Sequence, residues 1–579
     1  MLFKRFRIIK TTRPAPAWVN TLSWFISGLV LFGLALIVIF EGYRLSISPF
    51  VPVLIRWLIF IAGIGTVAEI ALKRVVQPVL VVSKPKRIFD TIIAALIVIT
   101  LIIRRFTFPL LLVYQAVSLS SRLSRAGFSA RFFGNLRQRP VRMLALSFLI
   151  LIVAGTILLT FPAATVDGRG ADLLTALFTA TSATCVTGLI VKDTGTYFSR
   201  FGQMVILALI QLGGLGIMTF YTSLIVVLGQ RLGLTERKTM ADLIEETREV
   251  DIARLVRYIF LFTFLAEALG VLVLFLRWLF VLPSPGQALY FAIFHSVSAF
   301  CNAGFSLFSD SFVRFQSDVI TNLSIIGLIV LGGLGFPVVN ELFNRYTIFQ
   351  TPRKTLRRLS IHARLVLWAT SLLIGVGTIV FFFLEYDNAL NNLSIGTRLL
   401  SSLFQAVTAR TAGFNTVAIN LLRPVTLFLW AILMFIGASP GGTGGGIKTT
   451  TIAVILLAVR SRLRGEEEIT FGNRFIPKEV VYRATAIVAL SLAVCAACFT
   501  LLLVTQSQRF EWLLFETVSA FGTVGLSCGI TPNLNYIGKL SIIILMFVGR
   551  IGPLTLTLAM AAPRERSLVA YPSARVIVG

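Results

Sequence analysis

Four short strings recur along this chain of 579 residues, and they limit its fold more than any other feature. They read TSATCVTGL (residues 181–189), VSAFCNAGF (297–305), VTARTAGF (407–414) and VSAFGTVGL (518–526). Each contains a glycine followed by Leu or Phe: Gly188, Gly304, Gly413 and Gly525. The glycines are separated by 116, 109 and 112 residues, a period regular enough to mean fourfold duplication of one unit.

Each unit has the same internal order. Apolar runs precede the strings at residues 143–161, 258–282, 365–384 and 485–504, and others follow at 202–228, 319–343, 425–459 and 540–561. A stretch of about fifteen residues leads into each string (173–185 in the first unit, 288–301 in the second), too short to cross a bilayer but long enough for a half-helix that dips in and returns. The fold class is therefore an all-α polytopic membrane protein: four pseudo-symmetric helix–pore loop–helix repeats around one pore, at residues 141–245, 246–355, 356–470 and 471–579. Residues 1–140 form an N-terminal extension of two to three further transmembrane helices. Its first run, 22–40, is too long for the apolar core of a signal peptide and lacks a small-residue cleavage site, so it reads as a retained span.

Composition excludes the main alternatives. With 56% hydrophobic and only 13% charged residues, the chain is not a soluble globule. The net charge of +28 does not indicate nucleic acid, because the cations are segregated into loops. Six Lys and Arg occupy each of the linkers 229–257, 345–364 and 460–483, against one to three in each string-bearing segment. That asymmetry places the linkers in the cytoplasm and brings the pore loops in from outside a cell inner (plasma) membrane. Residues 104–142 hold eight arginines and read as a cytoplasmic topogenic loop rather than a voltage sensor. Cys495 and Cys498 form a CxxC in spacing only, inside an apolar run, and imply neither a disulfide nor a metal site.

Non-helical backbone at membrane depth persists only where it is buried or lines a wet path. Four glycine strings around one axis supply such a path, since glycine turns successive carbonyls inward and a ring of carbonyl dipoles replaces a cation's hydration shell. The lining residues are Val186, Thr187 and Gly188; Asn302, Ala303 and Gly304; Thr411, Ala412 and Gly413; and Thr523, Val524 and Gly525. The third string lacks one residue before its glycine, so its pore helix is expected to meet the path differently.

The run after the third string, FIGASPGGTGGGIKTTT (435–451), is a poor helix interior. Gly437, Ala438, Ser439, Pro440, Gly441, Gly442, Thr443, Gly444, Gly445 and Gly446, with Lys448, make up this broken stretch. It is not a phosphate-binding Walker loop, because Ile447 intervenes before Lys448 and no strand precedes it. Equivalent points in the other repeats read GGLG (213–216), GGLG (332–335) and GRIG (549–552), so the breaks are expected at one depth. Arg550 and Glu267 lie inside apolar spans, where ionisable side chains mark function by default. The carbonyls freed by the broken helix are the expected partners of Arg550. Glu267 fits either a helix–helix hydrogen bond or a coupling role. No catalytic constellation is present: His295 and His362 sit in different repeats, and His295 is placed at the start of a pore helix as a hydrogen-bonding helix-end residue.

In the four strings, GGTGGGIKTTT, VGRIGP and the terminal YPSARVIVG, the chain resembles the Trk/Ktr superfamily of potassium transporters, and within it the pore-forming Ktr-type membrane subunit. The resemblance covers about residue 140 to the C-terminus. It implies potassium uptake with K+ as substrate and Na+ as a possible activator, and no covalently bound cofactor. It also implies a homodimer in membrane lipid with one pore per protomer, and a cytoplasmic nucleotide-binding regulatory ring of ATP/ADP or NAD type. The broken segment would be an intramembrane gate with Arg550 beside it. Glycine in all four strings matches potassium-selective members rather than plant relatives with serine in the first loop. A coupled secondary transporter of another cation such as sodium also uses broken helices, and a membrane enzyme would need paired catalytic groups that do not cluster here.

Overall fold

The structure is a computed structural model that describes residues 140–216, 252–343, 359–472 and 474–560, with isolated stretches between residues 25 and 98. The expectations for the arginines between 104 and 139, for the linkers 217–251 and 344–358 and for the terminal YPSARVIVG lie outside the described residues.

Each repeat is a leading helix, a short pore helix and a trailing helix. Repeat one comprises Pro140–Leu159, Leu173–Thr184 and Arg200–Leu215. Repeat two comprises Ile252–Trp278, Pro285–Phe300 and the bent pair Val319–Gly333 and Phe336–Leu342. In repeat three the helices are Ile361–Leu384, Ile395–Thr408 and Pro424–Phe435, continued after a loop by Thr449–Leu463. Repeat four has Lys478–Thr505, Phe510–Gly522, Tyr536–Ile551 and Pro553–Met560. Three leading helices, Tyr258–Trp278 (within Ile252–Trp278), Ile361–Leu384 and Lys478–Thr505, are long and apolar enough to cross a membrane, and they keep much of their apolar surface outward, as at Leu269, Phe383 and Val504.

Side-chain caps start the first three pore helices. Asp172 accepts from the Thr175 N–H (3.0 Å), Ser284 from Gln287 (3.3 Å) and Ser394 from Thr397 (3.3 Å). Pore helices pack on their own leading helices, and each trailing helix crosses to the pore helix of the next repeat: one to two, two to three, three to four and four back to one. The four units therefore close into a ring. The repeat boundary expected at 470 falls inside a small hairpin, Thr470–Phe471 paired with Arg474–Phe475, so the third linker is partly ordered by its own backbone bonds.

The trailing helices break later than the first glycine of each motif. Gly213, Gly332 and Gly549 remain helical, and a Cβ on any of them would overlap the carbonyl oxygen of Thr184, Phe300 or Phe521 at the end of the adjoining pore helix. The last glycine of each motif makes the turn: Gly216, Gly335 and Gly552 have φ of 74°, 88° and 91°, and the second repeat bends by 107° there.

Candidate cation pathway

The pore helices end at Thr184, Phe300, Thr408 and Gly522, immediately ahead of the predicted lining residues. Their negative dipole ends thus lie next to the lining residues, an arrangement favourable to a cation. In all four repeats the next segment has one backbone pattern. Val186, Asn302, Thr411 and Thr523 have φ of 56°, 58°, 74° and 50°, and Gly188, Gly304, Gly413 and Gly525 have φ of 90°, 70°, 79° and 93°. Four non-glycine residues in the left-handed region at equivalent places are strained backbone held by their surroundings. Alternation of handedness directs successive carbonyls of an extended chain to the same side.

The glycines report where those carbonyls lie. A Cβ on Gly188 would stand 2.5 Å from the carbonyl oxygen of Ala303, and one on Gly304 would stand 2.8 Å from that of Ala412. On Gly413 it would strike the oxygen of Val524, and on Gly525 that of Thr187. Each glycine thus faces the carbonyl one residue before the glycine of the next repeat, in the cyclic order one, two, three, four. Only a residue without a side chain fits this ring of oxygens.

Hydroxyls that the sequence analysis did not single out hold the walls. Ser182 and Ser519 accept from the N–H of Gly188 and Gly525, both at 3.1 Å. Ser298 and Thr408 donate to the carbonyls of Phe305 (2.8 Å) and Phe414 (2.7 Å). The signal was in plain view: a Ser or Thr followed by Ala near the start of every string. The shorter third string is absorbed at this point. The middle residues Thr187, Ala303 and Val524 donate to carbonyls five residues back (Ser182, Ser298, Ser519), whereas Ala412 reaches Thr408, four back, at 3.0 Å. Arg410, just before Thr411, is buried with its Nε lacking a hydrogen-bond partner.

Beneath this ring lies the loop between Phe435 and Thr449, which repeats two, three and four hold directly and repeat one through Arg550. Within the loop, Gly437 N–H donates to Ile447 (2.8 Å) and Lys448 Nζ donates to Gly444 (2.9 Å). From repeat two, the carbonyls of Gly333 and Gly332 accept from Ser439 (3.0 Å) and Thr443 (3.1 Å), and Phe336 N–H donates to Gly441 (3.1 Å). Gly446 N–H donates to Gly549 (3.2 Å) and Gly445 N–H to the hydroxyl of Thr523 (2.9 Å), both in repeat four. A Cβ on Gly444 would overlap the Thr411 hydroxyl, so the loop lies directly against the lining residues. Gly442 N–H closes a tight turn on Ser439, and Pro440 and Ala438 complete the run.

Arg550 ties the loop to repeat one. Its Nη1 donates to the carbonyl of Thr443, and its Nη2 to the carbonyls of Gly213 and, at 3.3 Å, Gly214. The guanidinium also stands over the Phe148 ring, 5.8 Å from its centre. Glu267 does not bond Arg550: it accepts from Gln211 (3.3 Å), so it links the leading helix of repeat two to the trailing helix of repeat one. His295 lies in the middle of its pore helix, not at its start as the sequence placed it, because that helix already begins at Pro285 behind the Ser284 cap and runs to Phe300.

A family model described as a cation transport protein, TrkH, matches residues 133–568, three quarters of the chain. The chain belongs to the TrkH family. Among curated relatives of this TrkH-family chain, the Ktr system potassium uptake protein B of Vibrio alginolyticus is 40% identical over 76% of this chain and 94% of its own length. The protein of the same description from Bacillus subtilis is 40% identical over 76% of this chain and 97% of its own length. The potassium/sodium uptake protein NtpJ of Enterococcus hirae is 34% identical, covering 76% and 98% respectively. The crystal structure of the potassium transporter TrkH from Vibrio parahaemolyticus superposes with a TM-score of 0.59 at 19% identity, covering 88% of this chain and 97% of that one, and shares the fold. The family match leaves residues 1–132 of this TrkH-family chain outside it.

Proposed function

We propose that this chain takes up potassium across the cell inner membrane through a single-file path, with the four glycine triplets as its selectivity filter. The observation that carries the reading is the cyclic closure of four identically wound segments, each glycine facing the carbonyl of the next repeat. A ring of backbone oxygens substitutes for the water around a weakly hydrated cation, and fixed carbonyl dipoles discriminate by field strength and spacing. The names of the Vibrio and Bacillus relatives support potassium as the cargo, and that of NtpJ supports a sodium involvement, here as activator.

The loop from Gly437 to Lys448 is the gate in this reading. It lies across the inner side of the filter, and the charge of Arg550 beside it opposes a passing cation. The pore loops enter from outside, and the protein works as a lipid-embedded homodimer with a cytoplasmic ring of nucleotide-binding subunits on its basic face.

The test is Gly188→Ser in proteoliposomes containing only this chain. The added side chain meets the Ala303 oxygen, so the potassium-over-sodium flux ratio should fall. An unchanged ratio in the folded variant removes the filter assignment, and parent flux that prefers sodium favours the sodium-transporter alternative.

A further inference from the structure

Aligning the four pore helices on the wall hydroxyls Ser182, Ser298, Thr408 and Ser519 brings a second set of residues into register. Three positions earlier stand Thr179, His295, Gln405 and Glu516, all buried. They are chemically unlike, and the structure uses them in two ways.

In repeats two and four the side chain reaches the chain that leaves the filter. His295 Nδ1 lies 2.8 Å from the carbonyl of Phe291, so Nδ1 carries the hydrogen and Nε2 is the acceptor. Nε2 then receives the Leu307 N–H (3.2 Å) and the Ser306 hydroxyl (3.0 Å). Glu516 Oε1 accepts from the Thr531 hydroxyl, which stands 3.1 Å from that of Ser527. Ser306 and Ser527 are equivalent, each two residues beyond its filter glycine. Each accepts at 2.9 Å from the N–H two positions further on, Phe308 and Gly529. In repeats one and three the pattern is missing: the Thr179 hydroxyl and both side-chain polar atoms of Gln405 are buried without a hydrogen-bond partner, and Ile190 and Asn415 replace the serines.

We propose that His295 and Glu516 are positioning residues for ion selection, bracing the second and fourth walls of the filter through Ser306 and through Thr531 with Ser527. This rests on the filter reading above. Because the ring runs one, two, three, four, the braced walls face each other across the path. The ring is fourfold in backbone and twofold in support. Through Asn415 the third wall is tied only to repeat two and to itself. A wall its own pore helix does not brace there yields to the entering ion, whereas a braced wall holds its oxygens at a fixed spacing, so selectivity depends on one diagonal.

The experiment measures the potassium-to-sodium flux ratio of the full chain in proteoliposomes. His295→Phe keeps the ring stacked on Phe308, 4.9 Å away, and removes the acceptor. Glu516→Leu does the same for the fourth wall. Each should lower the ratio about fivefold, the factor one net hydrogen bond sustains. His295→Gln, the residue repeat three carries at this position, and Glu516→Gln keep an acceptor and should retain the parent ratio. Ser306→Ala and Thr531→Val cut the same braces from the other end and should reproduce the loss, which covers the case in which His295→Phe does not fold. Thr179→Val and Gln405→Leu should leave the ratio within about twofold. Folded brace variants with the parent ratio, or Thr179→Val and Gln405→Leu shifting it equally, overturn the proposal. If Gly188→Ser shifts the ratio while the brace variants do not, only the brace is lost; if Gly188→Ser is also silent, the filter reading falls with it.

Discussion

Arg550 shows how a single buried cation is held among apolar helices. A cation among apolar helices costs roughly 2.5–3.5 kcal/mol on insertion scales, and here carbonyls rather than an acid offset it: Thr443 on the loop, Gly213 and Gly214 on repeat one. The Thr443 bond alone depends on the loop's position; those to Gly213 and Gly214 seat the guanidinium on repeat one. Hydrogen bonds to a charged group are worth about 1.5–3 kcal/mol each, so Arg550→Ala should shift the loop towards release and raise rubidium uptake about tenfold. The same variant should melt earlier in detergent. Arg550→Lys keeps the charge but cannot span Thr443 and Gly213 together, because an ammonium lacks the planar fork. Its uptake should fall between parent and alanine variant in the same assay, and equal uptake by all three would remove the clamp.

At the scale of elements, the loop and the three breaks around it act as one device. Deleting residues 442–446 takes out Thr443, Gly445 and Gly446, hence the anchors to repeat four, the Arg550 link to repeat one and the Thr443 bond to repeat two, leaving Ser439 and Gly441 on repeat two. Flux through the folded deletion should rise, and an unchanged rate would make the segment structural. The helical glycines have a separate job. Gly549→Ala puts a methyl into the Phe521 carbonyl and should cost about 1–3 kcal/mol, seen as a lower melting temperature of purified protein, while Gly286→Ala, which meets nothing within 4 Å, should not change it. The sequence made the repeats, the triplets and the broken run legible because each depends on glycine, and glycine at a fixed period has few other causes. It did not reveal which glycine turns the chain. In GGLG both ends look alike, and only the neighbouring pore helix, far away in sequence, separates the helical Gly213 from the left-handed Gly216. His295 was misplaced for a related reason. Residues 285–287 are Pro-Gly-Gln, which reads as a turn, yet the Ser284 cap makes them the first turn of the helix. The wall hydroxyls were missed because Ser and Thr are common, and their role appears only when four repeats are superposed.

For the molecule as a whole, the pathway residues and all four repeats lie between residues 140 and 560. A chain starting at residue 133 should therefore still restore growth of a potassium-uptake-deficient bacterium at low potassium. Loss of growth despite normal membrane insertion would give the extension a transport role. Orientation is tested by single cysteines: Gly286→Cys, exposed in the first turn of the second pore helix, should react with an impermeant thiol reagent on intact cells, and Glu467→Cys, exposed in the third linker, only after the cells are opened. The ring itself has a genetic consequence. Where a pore is assembled from four copies of one subunit, a single codon change alters every quadrant at once. Here the quadrants are covalently joined and separately encoded, so mutation can retouch one side of the opening while three ancestral sides stay intact. The shorter third string is the kind of one-sided change such an arrangement tolerates: a missing residue that would be multiplied by four in a homotetramer is accommodated here by one hydrogen bond reaching the fourth residue back instead of the fifth.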